Sequence, residues 1–327
     1  MHDNEMSIAS CEPLLQPVVL EPSIREYYTI MRAHEGLLAD KKRMVAFREA
    51  INETVRSGDV VMDIGAGTGI LSQYAVEAGA STVYVVEQNE SILNIARNKL
   101  ASYEASARIL HLAKRGHEIK CGELPAQPDV IISEMIGTLA FNEGLVGLME
   151  DAKRFAPSGC RMIPSGVRLM AAPYFAEARR PEKVTIFRGE HVYADAAGQP
   201  HCVMQWTVDK PFESRQSVRV KAERPFSNVV LWAESRLSDS ITLSTLSCSE
   251  NNSWGIPILK LSKQCREVEI RCCLSEVSAD ADRQKGCSYA ISKNGFSLFQ
   301  MLDNKEAVSM AFTCVCGPQT CPAGPQR

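Results

Sequence analysis

The chain has 327 residues, with 36 basic and 39 acidic side chains and a formal net charge of −3. A hydrophobic fraction of 45% and a charged fraction of 23% are those of an ordinary globular chain, which excludes a disordered tail, a collagen-like repeat and a disulfide-stapled mini-domain. The length suggests about two domains. Near-neutrality speaks against a nucleic-acid binder, whose domains are strongly basic, and no stretch reaches the roughly 18 apolar residues of a membrane span.

The first residues, Met1 to Glu5, are polar and acidic, unlike a secretory leader. Residues 1–24 are Pro-broken, and from Ile24 to Asn52 the apolar positions fall at helical spacings. From Asp59 short β-branched runs alternate with helical stretches. Strands are expected at Val60–Ile64, Ser81–Val86, Ala107–Leu112 and Asp129–Ser133, and helices at Ile70–Ala78 and Glu90–Leu100. That alternation indicates βαβ units on a parallel sheet. After Pro164 it stops. Seven short β-rich segments follow: Val167–Pro173, His201–Val208, Ser217–Ala222, Asn228–Ser235, Ile241–Ser247, Ile256–Ser262 and Glu267–Leu274. Turn residues separate them, as in an antiparallel sheet or barrel. Three divisions follow: residues 1–52, 53–164 and 165–327.

The twelve cysteines are mostly single and several lie in apolar runs, so the chain reads as a reduced, cytoplasmic protein. Cys314, Cys316 and Cys321 cluster in a Pro/Gly-rich tail, but a structural zinc takes four ligands and no fourth is evident. No metal site is expected.

Asp63-Ile64-Gly65-Ala66-Gly67-Thr68-Gly69 follows a strand and opens a helix. Glycine permits positive φ and close approach of a ligand to the backbone. Glu87 ends the next strand, where an acid can accept hydrogen bonds from a ribose diol. The spacing is G-x-G-x-G rather than the G-x-G-x-x-G of pyrophosphate-binding folds, which suits a nucleoside cofactor without phosphates.

These residues resemble the first motif of class I S-adenosyl-L-methionine-dependent methyltransferases. The segment Ile131 to Glu143, with Glu134 and Glu143 nine positions apart after an apolar strand, resembles the double-E loop of protein arginine N-methyltransferases. His34-Glu35-Gly36-Leu37-Leu38-Ala39-Asp40-Lys41-Lys42-Arg43 resembles that family's cofactor-covering helix. The resemblance implies a Rossmann-like methyltransferase domain followed by an antiparallel β-barrel-like domain, under an N-terminal helical lid. It implies that Arg43 pairs with the methionine carboxylate of the cofactor, that Asp63, Gly65, Gly67 and Gly69 pack against it, and that Glu87 holds its ribose. Glu118 is implied at the adenine amino group and Tyr28 in the lid. Asp40, Met135, Ser253 and Trp254 are implied around the substrate. A homodimer is the family habit. Three positions depart from the pattern. Ser253 stands where the family has a histidine, Ile30-Met31 replaces a His-Phe pair, and the stretch Arg179–Trp206, where a dimerisation arm is expected, is short.

The chemistry of two carboxylates fits that expectation. A guanidinium is a poor nucleophile because its lone pairs are delocalised and it stays protonated. Two carboxylates can hold it through charge-assisted, forked hydrogen bonds and aim one nitrogen at an electrophilic methyl. Glu134 is expected at a strand's C-terminal end, where α/β sheets bind ligands, and Glu143 at a helix start, where the helix dipole favours an anion. From Cys121 to Ala152 there are six acids and no Lys or Arg, which reads as a cation-binding cleft. Trp254 is either core or a ring that stacks on a guanidinium. The acceptor is a protein or peptide arginine, or free arginine or another small guanidine. A cofactor-binding, non-catalytic partner subunit is the competing function, and a methyltransferase acting on another nucleophile is a third.

Overall fold

The computed structural model describes residues 35–141, 143–175, 184–188, 197–246, 254–277, 288–292, 295–300 and 307–315. Tyr28 and Ser253 lie outside the described residues, as do most of the expected lid and the end of the Cys-containing tail.

Instead of running unbroken to Asn52, the helical arm is interrupted at Asp40, which accepts the Arg43 backbone N–H at 3.2 Å and caps helix α1 (Lys41–Thr54). Phe47, Ala50 and Ile51 recur at three- and four-residue spacing and form its buried face. The parallel layer follows: β1 (Val60–Ile64), α2 (Ile70–Glu77), β2 (Thr82–Val86), α3 (Glu90–Leu100), β3 (Arg108–Leu112), β4 (Val130–Ile132), α4 (Leu145–Ala152) and β5 (Arg161–Ile163). The sheet order is β3-β2-β1-β4-β5, all parallel. Strands β1, β2 and β4 are buried on both faces, as expected for a parallel sheet flanked by helices. Helix α3 is capped by Asn89, whose side chain accepts from Ser91 and Ile92, with Glu90 in its first turn and Arg97 and Lys99 in its last, matching the helix dipole.

The parallel layer ends at Ile163, followed by a cis peptide to Pro164, and the antiparallel sheet starts with β6 (Gly166–Tyr174). Its other strands are β7 (Val184–Arg188), β8 (His201–Thr207), β9 (Arg215–Arg236), β10 (Thr242–Ser244), β11 (Gly255–Val277), β12 (Ser288–Ser292), β13 (Gly295–Gln300) and β14 (Ala307–Val315). The order is β12-β13-β14-β11-β9-β6-β8, with β10 on β9 and β7 on β11. Two pairs of expected strands fuse. Ser217–Ala222 joins Asn228–Ser235 in β9, and Ile256–Ser262 joins Glu267–Leu274 in β11. At Pro225, which lacks a donor, β9 advances from Lys221 to Phe226 while β11 advances only from Glu267 to Cys265; a second register shift lies between Lys260 and Cys265, and both strands continue without a turn. Edge strand β8 pairs with β6, yet Gln205 on β8 exchanges hydrogen bonds with Gln216 at the far end of β9, at 3.2 Å each.

One hydrophobic core runs through both layers. At the seam the Trp206 indole N–H donates to Glu150 at 2.6 Å, Ser238 donates to Glu53 at 2.6 Å, and the Phe141 and Phe212 rings stack with centroids 5.9 Å apart. The two layers are therefore packed as one body around the C-terminal ends of β1, β2 and β4.

Candidate active site

Those strand ends carry the acids. Asp63 is the fourth residue of β1, Glu87 follows β2, and Glu134 stands two residues past β4. In this strand order the connection reverses between β1 and β4, where open α/β sheets form a ligand crevice.

The glycine loop crosses that crevice with φ of +74° at Gly65, +55° at Gly67 and +79° at Gly69. Gly65 and Ala66 donate to the Val86 carbonyl at 2.9 and 3.0 Å. Gly67 N–H donates to Glu87 Oε2 at 3.1 Å, and Asn89 N–H to Glu87 Oε1 at 2.8 Å. Glu87 thus braces the loop and keeps lone pairs for further donors. A Cβ on Gly65 would lie 3.2 Å from Met135 Sδ. Met135, expected beside the substrate, therefore lies over the glycine loop.

Asp63 is fully buried and accepts from Ser72 Oγ at 2.6 Å, while its Oδ1 has no hydrogen-bond partner. Burial pushes its carboxyl up to about 7, and Glu87 adds to the rise, while the Ser72 bonds oppose it. The folded pKa is above the unfolded value, so between about pH 4 and 7 unfolding releases a proton. Stability from this group is therefore present at low pH and lost as pH rises through that window. Asp63→Asn should flatten that part of the melting-temperature profile relative to the parent. An unchanged difference between pH 4.5 and 8 would contradict this.

Arg43 is 3% exposed and carries the centre of the site. Its Nη2 forms an ion pair with Glu134, and its guanidinium lies 5.0 Å from the Trp254 ring centroid. Its Nε and Nη1 are buried without hydrogen-bond partners. Burial lowers its pKa to about 10, with Asp40 and Glu143 pulling the other way, so it stays cationic near neutral pH. Glu143 precedes Gly144, the cap of α4. Its carboxyl is pushed up by burial, partly offset by Arg43. The helix start expected at Glu143 is present, and burial is the largest influence on its carboxyl.

The loop between the glutamates is tightly held. Ala140 takes a φ of +65°, the one positive φ of a non-glycine among the described residues, in a turn whose N–H bonds the Gly137 carbonyl at 2.8 Å. From β11's start, Trp254 donates its indole N–H to the Ile136 carbonyl at 2.6 Å and is 7% exposed. Trp254, read from the sequence as either core or a ring stacked on a guanidinium, is sunk in the core, where it meets the chain's own Arg43 and clamps the loop. Trp254→Phe keeps the ring but leaves a buried carbonyl without its donor, so it should cost about 1–3 kcal/mol in denaturant unfolding; a neutral result would contradict the clamp.

The six-acid window is also corrected. Glu123 pairs with Lys114 at 2.6 Å, Asp129 accepts Val60 N–H at 2.9 Å, Glu150 pairs with Lys153 at 2.7 Å, and Asp151 pairs with Arg154 at 3.1 Å. Only Glu134 and Glu143 of the six are tied electrostatically to Arg43. Lys41 and Lys42 are exposed, so Arg43 alone of that cationic run turns inward. Glu118 is exposed and accepts the Arg115 N–H of its own turn at 2.9 Å. Sequence reasoning missed Ser72, the Ile136 carbonyl and Ala140. Ser72 lies on the buried side of α2 and was legible as a buried polar residue; a backbone carbonyl leaves no sequence signal.

Residues 47–180 match the family model for ribosomal protein L11 methyltransferase (PrmA). Among curated proteins, a probable protein arginine N-methyltransferase 6 of Arabidopsis thaliana is 29% identical over 210 residues, covering 63% of this chain and 45% of that protein. A probable histone-arginine methyltransferase 1.4 of the same plant is 36% identical over 154 residues, 46% of this chain and 29% of that one. The histone-arginine methyltransferase CARMER of Anopheles gambiae is 32% identical over 155 residues, 47% and 24%. The chain thus spans less than half the length of each of these relatives. Among solved structures, a Trypanosoma brucei PRMT1 enzyme–prozyme heterotetrameric complex with AdoHcy matches with TM-score 0.66 and 17% identity, over 86% of this chain and 97% of that one. Arabidopsis thaliana protein arginine methyltransferase 10 matches with TM-score 0.64 and 18% identity over the same shares. Those likenesses show the fold, a parallel sheet joined to an antiparallel one. In sequence the chain is thus similar to protein arginine methyltransferases over about half of its length, and in fold it is similar to solved structures of that family.

Proposed function

We propose that the chain is an arginine N-methyltransferase that uses S-adenosyl-L-methionine and acts on arginine in a protein or peptide. The observation that supports this best is the convergence of Glu134 and Glu143 on one buried guanidinium, that of Arg43, beside a glycine loop at the strand switch point.

The residues present fit the cofactor. The partnerless Nε and Nη1 of Arg43 match a carboxylate, the partnerless Oδ1 of Asp63 matches a donor, and Glu87 retains acceptor sites for a ribose diol. At Gly65 and Gly67 the loop takes positive φ and adds no side chain of its own between its backbone and a ligand. When bound, the cofactor supplies an electrophilic methyl on a sulfonium sulfur. The chain's own part is positioning and charge. Glu134 and Glu143 hold an acceptor guanidinium by forked, charge-assisted bonds, aim one nitrogen and keep positive charge on the rest. Because burial makes the Glu143 carboxylate a stronger base, it is the group that takes the nitrogen's proton.

Incubating the protein with methyl-labelled cofactor and either a Gly/Arg-rich peptide or free arginine tests the reading. Label is expected in the peptide. Label only in free arginine would redirect the substrate to a small guanidine. Label in neither, with cofactor bound, would favour a non-catalytic partner subunit. A homodimer is part of the proposal, and a monomer in light scattering would remove it.

A further inference from the structure

Building on that reading of the site, we infer that Arg43 belongs to the acceptor subsite as well as the cofactor subsite, and that through it each ligand tightens the binding of the other. The side chain is divided between two duties. Its Nη2 sits on Glu134, one of the two acids proposed to hold the acceptor, while Nε and Nη1 are buried with no partner. The Trp254 ring lies against it, and Asp40 and Glu143 act on its charge. A buried, cationic guanidinium on a carboxylate is what the proposed substrate presents. An incoming guanidinium therefore competes with Arg43 for Glu134, and the two cations repel across a site of low dielectric.

An anionic carboxylate on Nε and Nη1 changes both terms. It satisfies two buried donors that otherwise go unmet, and it offsets the charge that opposes the acceptor. Glu134 is then held less strongly by Arg43 and is freer to accept from the substrate. By linkage, the factor by which the cofactor product raises guanidine affinity equals the factor by which the guanidine raises cofactor affinity.

Calorimetry on the full chain tests this with three states: protein alone, protein saturated with S-adenosylhomocysteine, and protein saturated with 5′-methylthioadenosine, which keeps the nucleoside and thioether but lacks the amino-acid group. A Gly/Arg-rich peptide should bind about tenfold tighter or more with S-adenosylhomocysteine, within the usual range of such couplings, and within about twofold of the free protein with methylthioadenosine. In Arg43→Gln the enhancement by S-adenosylhomocysteine should vanish. Equal enhancement by both nucleosides in the unmodified protein would overturn the inference whether or not the variant folds. So would an enhancement that survives in Arg43→Gln. Peptide binding that Glu143→Gln leaves unweakened would instead overturn the reading of the acceptor site itself.

Discussion

Glu143→Gln should lower methyl transfer by about 10²–10³-fold, the typical loss when one preorganised electrostatic partner of a reacting group is removed, while leaving the fold at least as stable. The two halves of that result have separate causes. The Glu143 carboxyl has its pKa raised by burial, so in the folded protein its ionised form is disfavoured and a neutral amide relieves the site near pH 7. The same group is the proposed base, and the amide takes no proton. Glu134→Gln should behave differently. It loses a similar factor in transfer but also strips the buried Arg43 of its ion-pair partner. Breaking a buried pair from one side costs about 3–5 kcal/mol. Rates of label transfer measured beside thermal melts separate the cases. Equal stability losses in the two variants would contradict the assignment of Arg43's partner, and near-normal transfer in either would remove that acid from the chemistry.

Gly69→Ala is expected to be the most damaging single methyl in the cofactor loop. Gly69 has φ of +79° and caps α2. An added Cβ would lie 3.0 Å from Ala96 Cβ and 3.2 Å from Leu100 Cδ1, both in the fully buried face of α3. Left-handed backbone costs an L-residue about 1–2 kcal/mol, and a methyl forced into a packed core costs about 1–3 kcal/mol more. The sum is about 2–5 kcal/mol. Gly58 is the internal control: its φ is +91° but nothing lies within 4 Å of a new Cβ. Gly58→Ala should show only the backbone part, about 1–2 kcal/mol. Denaturant midpoints for the two variants measure the difference, and equal losses would show that α3 gives way to the methyl.

Much of the parallel layer was legible because its signals are local. Val60–Ile64 reads as a doubly covered strand, and Asn89-Glu90 reads as a helix start, from a few adjacent residues. The glycine loop was legible because positive φ selects its residue type. The antiparallel half was harder. Pro225 looks like an end of strand, yet β9 runs on through it, since a register shift within β9 takes up the lost pairing. Charge was misleading for a related reason. Six acids in a row of 32 residues, 121–152, look like one cleft, but Glu150 and Asp151 pair with Lys153 and Arg154 just past its end, Glu123 pairs with Lys114 just before its start, and Asp129 caps a strand. The partner of Arg43 is 91 residues away in sequence, and the Trp254 clamp on Ile136 spans 118. Only the fold brings such pairs together.

The central claim is that the Glu134 and Glu143 pair serves methylation of a guanidino nitrogen. Its most direct measurement is mass spectrometry with residue-level localisation, after the protein, S-adenosyl-L-methionine and a peptide bearing arginine, lysine and histidine have reacted together. The expected product carries its added methyl on an arginine side-chain nitrogen, and the signal disappears with Glu143→Gln. A methyl on lysine or histidine alone, or an arginine methyl that persists in that variant, would contradict the claim.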